Sequence, residues 1–354
     1  MKRPSRPTQH DIARAAGVST AVVSLVINGR TNGKIRISKA TQERVRAAIR
    51  ELGYVPNLAA RQLAGGQTRV LGVFTYDPIF PMQPNSFYQP FLVGIEEQAE
   101  QSDYNLLLFT RTSADGRRRI YHDGVNQLQV TDGAILLGTN EDRAELARLF
   151  HDGFPFVFVG RREIAGAPIA CTAADYAGAT AALTRRLLEA GHRRILYVGR
   201  DVDVNESAVD RERGFREAMA AAGREAAPLV RRLDEHTIEP TTIRAWLADG
   251  ITAVAAEQIH TAQKLLRLAQ TLGLCVPGDL SLVALGKADD PTADAGGIDT
   301  YHIPHREMGA EAVRLLERML TAPDGDYPRQ VTLRCRLAPG RTIGPPPATR
   351  PERR

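Results

Sequence analysis

No run in this 354-residue chain approaches the ~20 uninterrupted apolar residues that a bilayer-crossing helix needs. The opening stretch, MKRPSRPTQHDIARAAG, has no apolar core of signal-peptide type. A cytoplasmic protein without membrane contact is the expectation. Cysteine is scarce. Cys171, Cys275 and Cys335 stand far apart in apolar surroundings, with neither metal-ligand nor disulfide spacing. They read as buried, reduced thiols of a reducing compartment. Catalytic signatures are missing too. The chain has no P-loop, no G-x-S-x-G and no G-x-G-x-x-G after a strand, and His151, His192, His236 and His260 have no partner spacing. An enzyme is therefore not expected, and no cofactor or metal is called for. Acidic residues are almost absent from the first 69 positions, which hold three against thirteen Lys and Arg. That segment carries +10 while the whole chain carries +5, so the remaining residues sum to −5. A basic small part joined to a mildly acidic large one points to a polyanionic partner for the first part alone. The plainer alternative is a solvated helical surface.

The basic segment has regular punctuation. Thr8 can cap a helix in which Ile12, Ala13 and Ala16 recur at helical spacing. Gly17 breaks it. Ser19 can cap a second helix running from Thr20 to Ile27, which Asn28-Gly29 ends. Two short helices joined by a glycine turn make a helix-turn-helix layout. Ser38 can start a third helix, with Val45, Ala48, Ile49 and Leu52 on its inner face, and Gly53 stops it.

The runs HDIARAAGVSTAVVSLVING and ATQERVRAAIRELGYVPNLAARQLAGGQTRVLGV resemble the lactose-repressor/galactose-repressor (LacI/GalR) family of bacterial regulators. The resemblance continues more weakly beyond about Ala255. It implies a DNA-binding domain over residues 1–55, whose second helix enters the major groove. Thr20, Ala21 and Leu25 then read bases, while Ser19 and Ser24 lie near phosphates. Thr8, Asn28, Tyr54, Asn57 and Ala60 complete the implied DNA contacts. Many members carry arginine where this chain has Leu25. Leucine cannot pair bidentately with guanine and would favour thymine methyls; alternatively it packs in the core. The linker from Arg30 to Ile37 is longer than usual, and Lys34 and Arg36 there can reach phosphates. Residues 56–68 match a hinge helix that folds when two copies pair on the operator. Leu63 matches the leucine that wedges into the minor groove; as an ordinary linker residue it would not.

From Arg69 the pattern changes to short apolar runs alternating with helical stretches. Strands are expected at 70–75, 105–109, 134–137, 156–159, 195–198, 229–233, 252–255 and 280–284. Helices are expected at 90–103, near 115–129, and at 141–152, 176–190, 209–222, 239–248 and 260–272. Such alternation implies parallel sheets covered on both faces. With crossings near 161–165 and 287–304, it looks like a two-lobed α/β periplasmic-binding-protein fold over 69–344. Such folds bind ligand between lobes, at the carboxyl ends of strands. Residues 345–354, Pro- and Arg-rich, are expected to form a disordered tail.

The resemblance implies effector contacts at Asn85, Phe87, Tyr88, Arg161, Asp175 and Arg211. Each has a plainer role as a surface or capping residue. The motifs Ala256-Glu257-Gln258 and Ala284-Leu285-Gly286-Lys287 stand where many sugar-binding members have Ala-Asn-Asp and Gly-Phe-Asp-Asp. An acid is thus lost twice and a cation gained, with Gln258 and Lys287 at the cleft. A pocket more positive than a neutral-sugar site is expected, favouring an acid or phosphorylated sugar, unless Glu257 supplies the missing acid. The expected protein is a homodimeric, sequence-specific regulator, a repressor on a palindromic operator. Its DNA affinity is set by a small carbohydrate-related effector. No leucine-heptad tail suggests tetramers. The rival is a solute-binding protein of the same core fold without a regulatory role.

Overall fold

The structure, a computed structural model, describes residues 7–27, 36–54, 67–78, 87–113, 115–139, 141–200, 205–223, 228–288 and 297–347. The chain divides into two compact units, Met1–Val70 and Leu71–Arg354.

The first unit is built on α1 (Gln9–Ala16), α2 (Thr20–Ile27) and α3 (Lys39–Leu52). The Asp11 carboxylate accepts from both the backbone N–H and the hydroxyl of Thr8, at 2.9 and 2.7 Å, which ties down the start of α1. Those two bonds hold the Asp11 carboxyl below its usual pKa. Gly17 then takes φ +62°, the left-handed conformation that ends a helix, and α2 leaves bent by 104° from α1. Ser38 accepts from the Thr41 N–H at 3.2 Å and starts α3. Ile12, Val23, Val26 and Val45 are buried together at the centre.

The second unit has two lobes. The first is a six-stranded sheet made of β1 (Val70–Thr75), β2 (Asn105–Phe109), β5 (Gly133–Leu137), β6 (Phe156–Val159), β7 (Cys171–Ala174) and β14 (Gln330–Leu333), in the order β14-β7-β6-β5-β1-β2. From β1 through β5, β6 and β7 to β14 the pairings are parallel. The pleat divides the side chains between two cores. Leu71, Val73, Ile135 and Val157 face α4 (Gln89–Gln101) and α10 (His305–Thr321), while Phe74, Leu136 and Phe158 face α5 (Arg143–His151). Burial on both faces is why these strands read as continuous apolar runs.

The second lobe repeats the plan with β8 (Ile195–Gly199), β9 (Leu229–Arg232), β10 (Ala253–Ala256) and β11 (Ser281–Ala284), ordered β11-β10-β8-β9 and parallel throughout. Ile195 and Tyr197 pack towards α6 (Tyr176–Glu189) and α7 (Glu206–Ala221). Leu196 and Val198 pack towards α8 (Pro240–Ala248) and α9 (Ile259–Thr271). Helices α6 and α7 touch backbone to side: a Cβ on Gly214 would sit 2.1 Å from the Ala177 carbonyl oxygen. A small sheet of β12 (Lys287–Ala288), β13 (Thr300–Ile303) and β15 (Arg336–Ala338) lies beside β11.

Four details differ from the sequence reading. The first crossing is not at 161–165, because β6 and β7 pair in one sheet, Phe158 opposite Cys171; the chain changes lobe after Ala174. Short, small-residue β7 has no apolar run to announce it. The second crossing falls inside 287–304, where β13 hands over to α10, but a third, between β14 and β15, was not foreseen. The expected helix near 115–129 is instead a hairpin of β3 (Tyr121–His122) and β4 (Val125–Asn126) followed by one 3-10 turn. Asp123-Gly124, both at positive φ, supplies the tight turn that the helical reading overlooked. Finally, Cys171 is buried, but Cys275 is exposed and Cys335 only half-buried. Burial pushes the Cys171 thiol up to about 11. Pro345–Pro347 of the expected tail carry neither helix nor strand, and 348–354 lie outside the described residues.

Candidate DNA-reading face and ligand cleft

In the first unit, helix α2 bears no charged side chain. Ser19 and Ala21 at its start are exposed, and the Ser19 hydroxyl accepts from the Val22 N–H at 3.4 Å. Thr20, Ser24 and Leu25 are half-buried. Leu25 and Tyr54 pack against the three-helix core. Thr8 and Arg36 are exposed. Asn28, Lys34, Asn57, Ala60 and Leu63 lie outside the described residues. Cations that the motif reading did not single out stand exposed on the other two helices: Arg14 on α1, and Lys39, Arg44, Arg46 and Arg50 on α3.

In the second unit the carboxyl ends of β5 and β6 and the start of α7 line a cleft. An inner chamber of about 90 Å³ has Phe87, Tyr88 and Phe91 on one side and Arg161, Tyr176 and Asp210 on another. Phe87 is 54% exposed and meets Tyr88, Phe91 and His305 edge to face, which holds an aromatic surface at the rim. The Tyr88 hydroxyl donates to Asp77 at 2.5 Å, and the Thr139 N–H donates to the same carboxylate at 2.8 Å. Burial first, and Asp77 second, push the Tyr88 hydroxyl pKa well above its ordinary value.

Charged pairs join the lobes. Arg161, which follows β6, donates to both oxygens of Asp210 on α7 at 3.2 and 2.9 Å, and also pairs with Glu163. Glu206, at the start of α7, accepts from Arg143 at 2.8 Å and from the Glu163 N–H at 3.1 Å, with Arg162 3.7 Å away. Burial alone would raise the Glu206 pKa, but the N–H donors and the two guanidiniums hold it below the usual carboxylate range. Arg162 in turn meets Glu141 at 2.8 Å. The expected excess of positive charge around Arg161 is therefore absent, because acids from both lobes match these cations.

Of the sequence-derived effector residues, Phe87, Tyr88 and Arg161 come together in the inner chamber. Arg211 lies just behind it and is 6% exposed. It stacks 4.1 Å over the Tyr176 ring and donates to the Leu285 carbonyl at 2.7 Å and to Ser207 at 3.1 Å. Asp175 stands at the first crossing and caps α6, accepting from the Gly178 N–H at 2.8 Å. Gln258 starts α9 and donates to Glu257 at 3.2 Å; Glu257 also accepts from the Tyr197 hydroxyl at 3.0 Å. Lys287 sits in β12 opposite His302. Asn85 lies outside the described residues. The sequence reading missed Glu206, Asp210 and Arg162. Its available signal was a pair of acids four apart, on one face of a helix that begins where a strand's carboxyl end points. A larger outer chamber, about 740 Å³, opens between Tyr76, Arg117, Arg118, Arg119, Thr139 and Asn205.

A helix-turn-helix unit carried on one chain with a two-lobed, ligand-cleft core defines the class of ligand-responsive DNA-binding regulators. Comparison with known proteins identifies which. Residues 8–57 match the profile of bacterial regulatory proteins of the lacI family, and residues 184–343 that of a periplasmic binding protein-like domain. The chain is 32% identical over 333 residues to the HTH-type transcriptional regulator CelR of Thermobifida fusca, covering 91% of this chain and 94% of that one. It is similar to the solved CelR–cellobiose complex, with TM-score 0.61 and 28% identity over 95% of this chain and all of that one. The operator-bound lac repressor dimer shares the fold, with TM-score 0.65 and 22% identity over 96% of this chain and all of that one. The chain belongs to the LacI family and is a DNA-binding transcriptional regulator.

Proposed function

We propose that this regulator acts as a cytoplasmic, homodimeric repressor that holds a palindromic operator and releases it when a carbohydrate enters the cleft. In this reading residues 1–55 bind DNA, 56–68 form the hinge, and 69–344 bind effector and pair the subunits. It works by binding, without catalysis. The observation that carries the reading is the set of lobe-to-lobe ion pairs at Asp210 and Glu206 beside an aromatic wall. A polyol ring stacks on aromatic faces, and its hydroxyls pair with carboxylates and planar guanidiniums. A ligand that exchanges partners with Arg161 or Asp210 changes the fit of the two lobes, which supplies the differential contact that control requires. The CelR–cellobiose complex supports a carbohydrate as the class. Effector contacts are assigned to Phe87, Tyr88, Arg161 and Arg211, with Asp175, Gln258 and Lys287 at the margins. Base readers are Thr20, Ala21 and Leu25, with Ser19, Ser24 and Arg36 on phosphates.

The test is a gel shift of the full chain on its own promoter region, with neutral and charged mono- and disaccharides added in turn. Release by at least one carbohydrate, abolished in Arg161→Ala, is expected. Operator binding indifferent to every carbohydrate would overturn the effector assignment.

A further inference from the structure

The outer chamber differs from the inner one in size and charge. Small-molecule sites usually enclose ~300–1,000 Å³. The inner chamber, about 90 Å³, falls well short, and the outer one, about 740 Å³, does not. Thr139 and Asn205 line both, so the two are adjoining parts of one cleft. The outer part is therefore the one with room for a small-molecule ligand.

That part is lined by four arginines, Arg117, Arg118, Arg119 and Arg143, and by two acids, Glu141 and Asp142. Two of the arginines are matched by acids. Arg119 pairs with Asp115 at 2.8 Å and lies 3.7 Å from Asp142, and Arg143 pairs with Glu206 at 2.8 Å. Arg118 is not. Its guanidinium donates to the Thr75 hydroxyl at 3.1 Å and to the Asp77 carbonyl at 3.0 Å, both uncharged acceptors. Those bonds aim and hold the group without neutralising it. Arg117 is exposed, and neither it nor Arg118 has a carboxylate partner among the described residues. A half-buried guanidinium held by neutral oxygens, next to a second one, is an anion receptor with an unused charge.

We propose that the outer chamber binds an anionic group, a carboxylate or phosphate borne by the effector, on Arg117 and Arg118. The sugar portion then reaches towards the aromatic wall at Phe87. This rests on the carbohydrate reading above and narrows it to acidic or phosphorylated sugars. The charge that selects them comes from the loop after β2, and not from Arg161 or Lys287.

Inorganic phosphate is the first probe, titrated into the full chain at constant ionic strength and followed by calorimetry and thermal unfolding. Saturable stabilisation by phosphate is expected, with affinity at least tenfold weaker in Arg117→Gln and in Arg118→Gln. Among the described residues the Arg117 side chain makes no hydrogen bond or ion pair, so its variant keeps the test valid should Arg118→Gln unfold. Unchanged phosphate affinity in both variants overturns the site. Glucose, glucuronate and glucose 6-phosphate, with cellobiose and its uronic acid, form the second arm. The charged forms should bind at least tenfold more tightly than their neutral parents, with the two anions telling carboxylate from phosphate. That advantage should vanish in Arg117→Gln. Neutral sugars binding as well as charged ones would overturn the proposal and leave the carbohydrate reading standing. Phosphate bound on these arginines with no sugar bound would instead sink the carbohydrate reading and keep the anion site.

Discussion

At the scale of single residues, the lobes are held by partners that sit far apart in sequence. Arg161 and Asp210 share two hydrogen bonds, and their side chains are 27% and 12% exposed. Hydrogen bonds to charged groups contribute ~1.5–3 kcal/mol. A double-mutant cycle of Arg161→Ala and Asp210→Ala, read by urea unfolding of the full chain, should show coupling of about 1.5 kcal/mol. Coupling near zero would mean that the pair does not join the lobes. Buried His192 gives a pH dependence. Its ring meets Thr252 Oγ1 at 2.8 Å, and both Ser281 Oγ and the Gly344 carbonyl oxygen at 2.9 Å, tying the segment at Gly344 to the second lobe. Burial lowers its pKa below the ordinary value near 6.5, so the unfolded chain binds the proton more readily than the folded one. Stability from this group is complete above pH ~6.5 and is lost as pH falls towards the folded pKa, by at most ~1.4 kcal/mol per unit. His192→Gln should flatten that part of a stability–pH curve. An unchanged slope in the variant would assign it to other groups.

At the scale of elements, legibility followed burial and punctuation. Helices α1 to α3 were readable because Thr8, Ser19 and Ser38 stand at their starts and glycines close α1 and α3. Apolar β1, β5, β6 and β8 were readable because both faces are buried. Strand β7, Cys-Thr-Ala-Ala, was not, since its small residues are dictated by α10 packing above it; the Thr172 hydroxyl donates to the Met308 carbonyl at 3.0 Å. In the cleft, the motif positions Phe87, Tyr88 and Arg161 were visible in sequence. Their partners Asp210 and Glu206 were not, because ion pairing across lobes depends on the tertiary approach alone. Close helix contact is equally invisible to periodicity. Gly214→Ala would drive a methyl to 2.1 Å from the Ala177 carbonyl and force α6 and α7 apart. The expected loss is ~1–3 kcal/mol in urea unfolding. A neutral effect would mean that the helices separate freely.

At the scale of the whole molecule, charge is divided by task. The first 69 residues carry +10 and the rest −5. Operator affinity of the full chain should fall ~10³-fold or more between 50 and 200 mM salt, as several neutralised phosphates release counterions. Near-flat salt dependence would contradict the assignment of the basic unit to DNA. In the proposed account the larger unit exerts control, and control is a coupling free energy that must be the same whichever ligand is varied. The direct measurement titrates fluorescent operator with and without saturating effector, and effector with and without saturating operator, on the same preparation. The account predicts that each ligand weakens the other by one common factor, of about tenfold or more, and that Arg161→Ala brings that factor towards one. Operator and effector that each bind tightly while leaving the other's affinity unchanged would contradict it.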